Sequence, residues 1–193
     1  MRPRLLLATS NLHKVVEIRG ILGRCLEILY FGDFLLETPE EWGGTLRENA
    51  LIKARYGYEK TGYPSLGEDT GLFVDALNGA PGIFSSRFAG KNATDKENRE
   101  KLLYLMKGEE NRKASFVTVL AYYDGERVEF FEGVLEGKIS REERGSFGFG
   151  YDPIFIPKGY NKTLAEMKME EKNRISHRYK AVRKFLRWYV SVL

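Results

Sequence analysis

Ser65-Leu66-Gly67-Glu68-Asp69-Thr70-Gly71-Leu72-Phe73-Val74-Asp75 sets two adjacent acids and two glycines between short apolar runs. Acids in that position mark the end of a strand, where an α/β sheet usually presents its chemistry. Side chains alternate across a strand, so Glu68 and Asp69 can face one cleft only if the backbone turns between them. Gly67 and Gly71 would permit that turn. One carboxylate could then hold a hard cation and activate water while the other tunes it or hydrogen-bonds the loop. The plainer alternative is a polar turn joining two strands.

Upstream, Arg4 to Thr9 reads as a buried first strand that feeds a helix capped by Asn11 or Ser10. That helix carries Val15, Ile18, Ile21 and Leu22 on one face and is expected to turn Glu17 and Arg19 to its wetter side. Glu27 to Phe31 is a second strand, and residues 34–44 form an irregular connection holding Glu37, Glu40 and Glu41. Thr45 and Glu48 have capping-box spacing, opening a helix that runs to about Lys60 and stops at Gly62-Tyr63-Pro64.

Downstream, Asn78 to Gly82 is a turn-rich loop, and Thr94 with Glu97 caps a helix ending near Met106. Lys113–Tyr123 and Glu126–Gly137 are β-rich runs about Asp124-Gly125, the pattern of an antiparallel hairpin. A glycine-rich loop over 141–152 precedes a short strand at Pro153–Ile156, and Thr163 with Glu166 is expected to open a short helix. Ser176 caps a terminal helix in which Val182, Phe185, Leu186, Tyr189 and Leu193 recur at helical spacing. No repeat or linker interrupts the 193 residues. The expectation is one α/β domain over 1–193, with a long mixed central sheet flanked by helices.

The totals narrow the class. Thirty-one basic against 27 acidic residues give a net charge of +4, too small a bias to indicate nucleic acid. Cys25 is the single cysteine, which excludes an internal disulfide or a thiolate metal cluster and suits a reducing compartment. Two histidines, His13 and His177, make a histidine-rich zinc site a poor fit. No apolar run approaches the roughly 20 residues that span a bilayer. A cytoplasmic protein without a membrane or a stable nucleic-acid partner is expected.

Two helix starts carry cations where a helix already presents partial positive charge. Lys14 follows Ser10-Asn11, while His177, Arg178 and Lys180 follow Ser176, with Lys172 and Arg174 just upstream. Bound anions would offset both clusters, so two anion sites are inferred, with Lys53 a further cation for the first. Gly145-Ser-Phe147-Gly148-Phe149-Gly150-Tyr151-Asp152 alternates glycine with aromatic residues. Such a loop can stack a ring on a heterocycle while Asp152 reads its edge; the alternative is a bulged strand with aromatics in the core. Phosphate sites, an aromatic slot and metal-binding acids together describe a nucleoside polyphosphate. The G-x-x-x-x-G-K-[ST] loop is absent.

Six motifs then occur in the order of one known family. They are Thr9-Ser10-Asn11-x-x-Lys14-x-x-Glu17; Thr45-x-x-Glu48-Asn49-Ala50-x-x-Lys53-Ala54; Glu68-Asp69-Thr70-Gly71-Leu72; Gly79-x-Pro81-Gly82-x-x-Ser85-x-Arg87; Gly148-Phe149-Gly150-Tyr151-Asp152-Pro153; and Glu171-Lys172-x-x-x-Ser176-His177-Arg178. Over nearly its whole length the sequence resembles the inosine triphosphate pyrophosphatase family.

The resemblance implies Mg²⁺-dependent hydrolysis of ITP, dITP, XTP and dXTP between the α and β phosphates, in a homodimer whose active-site cleft lies between two lobes. It implies that Thr9, Ser10, Asn11, Leu12, His13 and Lys14 cradle phosphates and that Lys53 approaches the triphosphate. Asp69 would be general base and metal ligand, and Thr70 would touch substrate. Phe149, Gly150, Tyr151 and Asp152 would hold the base, and Lys172, His177 and Arg178 would contact base and phosphate. Many relatives carry Asp-Asp-Ser-Gly where this chain has Glu68-Asp69-Thr70-Gly71. The second acidic metal ligand falls in Pro39-Glu40-Glu41-Trp42-Gly43, with Glu40 chosen over Glu41. The rival readings are a Maf-type nucleotide pyrophosphatase and a nucleotide- or RNA-binding module without catalysis.

Overall fold

The computed structural model describes residues 2–23 and 26–192, so Cys25 and Leu193 lie outside the described residues. Arg4–Leu7 forms β1, Glu27–Tyr30 β2, Ser65–Val74 β3, Pro81–Gly82 β4, Lys113–Tyr123 β5, Val128–Ile139 β6 and Phe155–Pro157 β7. The α-helices are Leu12–Leu22 (α1), Leu46–Thr61 (α2), Asp95–Leu105 (α3), Met169–Ile175 (α4) and His177–Val192 (α5). Among the described residues the strands make one sheet in the order β2-β1-β3-β5-β6-β7, with β4 paired to β3. β1 runs parallel to β2 and β3, whereas β4 is antiparallel to β3 and β7 to β6. The sheet is therefore mixed, as expected.

The described chain groups into two compact units. The first takes the residues up to Asp69, Thr118–Gly133 and the chain from His177 on; the second takes Thr70–Val117 and Val134–Ser176. In the first, β1 is apolar on both faces. Leu5 and Leu7 join Val15, Ile18 and Leu22 of α1 and Val182, Phe185 and Tyr189 of α5, while Leu6 and Ala8 join Phe31 on the other face. A parallel strand covered by helices on both sides needs this continuous apolar run. In the second unit, Leu72, Val74, Leu102, Met106, Phe116, Leu135, Tyr151 and Phe155 form a separate core.

Caps set the helix ends. Asn11 accepts from the amides of His13 and Lys14 at the start of α1, and Thr45 accepts from Glu48 at the start of α2. Gly62 ends α2 in the left-handed region at φ 71°, where glycine escapes the Cβ penalty. Thr94 and Glu97 form a reciprocal box before α3.

Three expectations need correction. Thr163 and Glu166 do make a box, but it closes one 3-10 turn over Leu164–Glu166, and α4 follows separately. Glu17 is buried on α1 instead of wet, because Arg178 pairs with it. Finally, β3 does not turn at the acids: it extends unbroken from Ser65 to Val74. Gly67 and Gly71 serve close approach there. A Cβ at Gly67 would lie 1.9 Å from the Ala50 carbonyl oxygen, and one at Gly71 2.7 Å from that of Gly82.

Candidate active site

With β3 unbroken, its side chains divide by parity. Leu66 packs with the α1 and α5 residues, and Glu68 shares that face. Gly67 lies under α2 and Asp69 follows it there. Because Gly67 has no side chain, α2 sits against the strand through Ala50 and Ala54, and Lys53 between them reaches Asp69.

On the α2 face, Lys53 Nζ lies 3.3 Å from Asp69 Oδ1 and 2.5 Å from Glu41 Oε1. Glu41 arrives on a segment clamped to the first turn of α2. The Gly43 amide donates to Asn49 Oδ1 at 2.9 Å, and the Gly44 amide donates to Glu48 Oε2 at 2.6 Å. One cation thus serves two carboxylates. Burial pushes the Asp69 carboxyl above its ordinary value; Lys53 and, less strongly, Lys14 oppose the shift, and Glu41 and Glu68 reinforce it. For Lys53, burial works against the charge, but Asp69, Glu41 and Glu68 together outweigh it and raise its pKa. Asp69 Oδ2 is buried with no hydrogen-bond partner. A buried carboxylate short of cations, with one oxygen open, can accept a proton or ligate a metal.

On the other face the charges balance. Arg178 Nη2 and Nε donate to Glu68 Oε1 at 2.9 and 3.3 Å, Arg178 Nη1 donates to Glu17, and Lys14 Nζ lies 2.6 Å from Glu68 Oε2. Burial alone would raise the Glu68 pKa, yet Lys14, Arg178 and Lys53 hold it well below the usual carboxylate range. Arg178 is among the largest fully buried side chains and is held firmly charged against its burial by Glu68 and Glu17. At the start of the last helix, His177 and Arg178, expected to meet an anion, are buried within the protein, and Arg178 is paired. Arg178 turns inward to two carboxylates, and His177 is only 2% exposed. Gly133 explains how closely α5 sits: a Cβ there would be 2.0 Å from the His177 carbonyl oxygen.

The segment before α1 is less open than its motif suggested. Ser10 donates its amide to Thr38 Oγ1, Asn11 to Thr9 Oγ1, and His13 and Lys14 to Asn11 Oδ1. Thr9 is buried, Ser10, Asn11, Leu12 and His13 are exposed, and Lys14 is partly exposed. Its ammonium is the cation this segment can offer an anion. Thr70, next to Asp69, is half-buried. Glu40 is exposed, whereas Glu41 lies against Lys53.

Within the second unit, Lys172 Nζ lies 2.6 Å from Asp152 Oδ2 and 4.9 Å from the Phe149 ring centre. The Phe149 amide donates to the same Asp152 oxygen at 3.0 Å. Gly150 is gripped at both ends: its amide donates to Asp95 Oδ2 and its carbonyl accepts from Arg99 Nη1. Tyr151 belongs to the core, with its hydroxyl donating to the Ser85 carbonyl at 2.6 Å. Burial, then the nearby Asp95 charge, raises its pKa. Tyr151 thus anchors the loop, and Phe149 is the half-buried ring beside the lysine. Asp95, Arg99 and Ser85 were not expected here; Ser85 stood within a recognised motif, whereas Asp95 and Arg99 are joined to Gly150 only by long-range folding.

The sequence matches the Ham1 family over residues 5–188. The chain belongs to the Ham1 family. It is 49% identical to the dITP/XTP pyrophosphatase of Thermoanaerobacter pseudethanolicus, the match covering 94% of this chain and 93% of that one. It is 46% identical to the dITP/XTP pyrophosphatase of Aquifex aeolicus, over 95% of each. Among solved structures, the HAM1 protein from Coxiella burnetii matches at a TM-score of 0.89 and 40% identity, covering 98% of this chain and 99% of that one. The Staphylococcus aureus Ham1 protein matches at 0.87 and 32% identity, covering 98% and 100%. The α/β architecture with a mixed sheet is thus that of Ham1 proteins. No helix among the described residues is long and apolar enough to cross a membrane.

Proposed function

We propose that this chain hydrolyses dITP and XTP, together with ITP and dXTP, to the monophosphate and pyrophosphate, clearing these nucleotides from the pool. Asp69 carries the proposal: a buried carboxylate sharing one lysine with Glu41, its Oδ2 without a partner, in a chain about half identical to dITP/XTP pyrophosphatases. Oδ2 takes the proton of the attacking water, and the raised pKa brings the carboxylate nearer to the basicity a general base needs. Lys53, bonded to Oδ1, fixes the orientation of the carboxylate. Thr9, Ser10, Asn11, Leu12, His13 and Lys14 hold the phosphates, Lys14 supplying the charge, and Thr70 contacts the substrate.

Phe149 stacks the base, while Gly150, Tyr151, Asp152 and Lys172 hold that ring and its loop. Groups arranged for a 6-oxo purine would be left unpaired by the 6-amino group of adenine, which disfavours ATP. His177 and Arg178 support the site from within the first unit.

The residues also fit Mg²⁺. Among the described residues no group of three or more His, Cys, Asp or Glu could hold a metal, but Mg²⁺ typically takes one or two carboxylates and completes its shell with phosphate oxygens and water. Asp69 and Glu41 would hold it, with Glu41 taken in place of Glu40. Bound there, Mg²⁺ would neutralise charge on the leaving pyrophosphate. A homodimer, as the family resemblance implies, and a cytoplasmic location are part of the same proposal.

The test is a product assay with Mg²⁺ and dITP, XTP, dTTP, ATP or GTP, reading pyrophosphate and orthophosphate separately. Pyrophosphate from dITP and XTP, with little from the rest, is expected. Orthophosphate, turnover of dTTP alone, or no turnover would overturn the proposal.

A further inference from the structure

Glu17 belongs to no expected site, yet it is buried on α1 with its carboxylate against Arg178. Arg178 in turn grips Glu68, and Glu68 holds the ammonium of Lys14 at 2.6 Å. Glu17, Arg178, Glu68 and Lys14 therefore form a chain of alternating charge, two negative and two positive. Three of its side chains are 2–6% exposed, whereas that of Lys14 is 18% exposed. Its two ends, Glu17 and Lys14, stand three residues apart on one helix.

Both acids in this network restrain cations. Without Glu17, Arg178 loses one carboxylate and draws harder on Glu68, which then holds Lys14 differently. Because the amides of His13 and Lys14 are already bonded to Asn11, the position of the Lys14 ammonium decides how well this end of α1 meets a phosphate. We infer that Glu17 is a positioning residue for substrate capture, acting on the nucleotide phosphates through Arg178, Glu68 and Lys14 without touching them. This inference rests on the proposed nucleotide hydrolase and adds to it a residue on the buried side of the phosphate site.

The test is a double-mutant cycle read by calorimetric binding of dITP carrying a non-cleavable α,β-imido bridge, with Mg²⁺. Glu17→Gln is expected to weaken binding about tenfold in the otherwise unchanged chain, and less than about twofold when Lys14→Ala is already present. Glu17→Asp keeps the charge but shortens the reach, and is expected to show the same pattern at about threefold. It serves should thermal melting find Glu17→Gln unfolded. Equal weakening in both backgrounds, or none in either, would overturn the positioning role while the unchanged chain still binds the analogue. Failure of the unchanged chain to bind would instead overturn the nucleotide-hydrolase proposal, and the role of Glu17 with it.

Discussion

Glu68 and Asp69 are neighbours in one strand, yet they live in different electrostatic surroundings. Glu68 meets Arg178 and Lys14 directly, and its pKa is depressed. Asp69 shares Lys53 with Glu41, and its pKa is raised. Burial penalises both charges; the supply of cations decides the sign of each shift. A single residue step, which in an extended strand exchanges one face for the other, separates a carboxylate paired with two cations from the one proposed for the chemistry.

The largest expected effect breaks the chemical side of this contrast. Asp69→Asn removes the proposed base and should lower turnover of dITP about 10²–10⁴-fold with little change in analogue affinity, measured by pyrophosphate release and calorimetry; near-normal turnover would count against Asp69 as base. Glu68→Gln breaks the structural side, leaving Arg178 and Lys14 without their shared anion. It should cost about 3 kcal/mol in urea unfolding at neutral pH. Since the folded-state pKa of Glu68 is depressed, its contribution is complete above the ordinary value of 4.5 and is lost as pH falls through the folded value. In metal-free buffer the gap between the two proteins should close on acidification; a gap constant with pH would contradict the pairing.

Gly67→Ala tests how α2 brings Lys53 to the strand. The added Cβ would collide with the Ala50 carbonyl, and about 1–3 kcal/mol of destabilisation is expected, with a further loss of turnover as Lys53 moves. A substitution without effect on either would mean that this contact does not position the lysine. The finest comparison sets Glu41→Gln against Glu40→Gln. The first should lower kcat/KM about tenfold, or about 1.4 kcal/mol, and weaken Mg²⁺ activation, while the second, at an exposed position, should change neither by more than about twofold. Equal effects would erase the distinction.

Much of this was legible in advance, for physical reasons. Capping pairs such as Thr94 and Glu97 and the strand runs on either side of Asp124-Gly125 are local signals, and the structure carries both. Glycine was the ambiguous letter. At Gly67 and Gly71 it suggested a turn, whereas the fold uses the missing side chain to bring a helix and a strand close, a requirement set by partners distant in sequence. Charge was ambiguous for the same reason. Arg178 read as an open cation because its partners, Glu17 and Glu68, lie 161 and 110 residues away. Glu41 lies beside Glu40, and it is the fold, with Gly43 and Gly44 bonded to the first turn of α2, that sets Glu41 against Lys53.

The most direct test of the division between the two acids is urea unfolding of Asp69→Asn and Glu68→Gln beside the unchanged chain at pH 7 in metal-free buffer. An acid whose folded pKa is raised contributes most below its ordinary value and loses that contribution as pH rises through the folded value. Removing the Asp69 charge should therefore relieve the fold at pH 7 and raise its stability, whereas Glu68→Gln should lower it. Opposite signs are the expected result; a loss of similar size in both proteins would contradict the separation of roles along the strand.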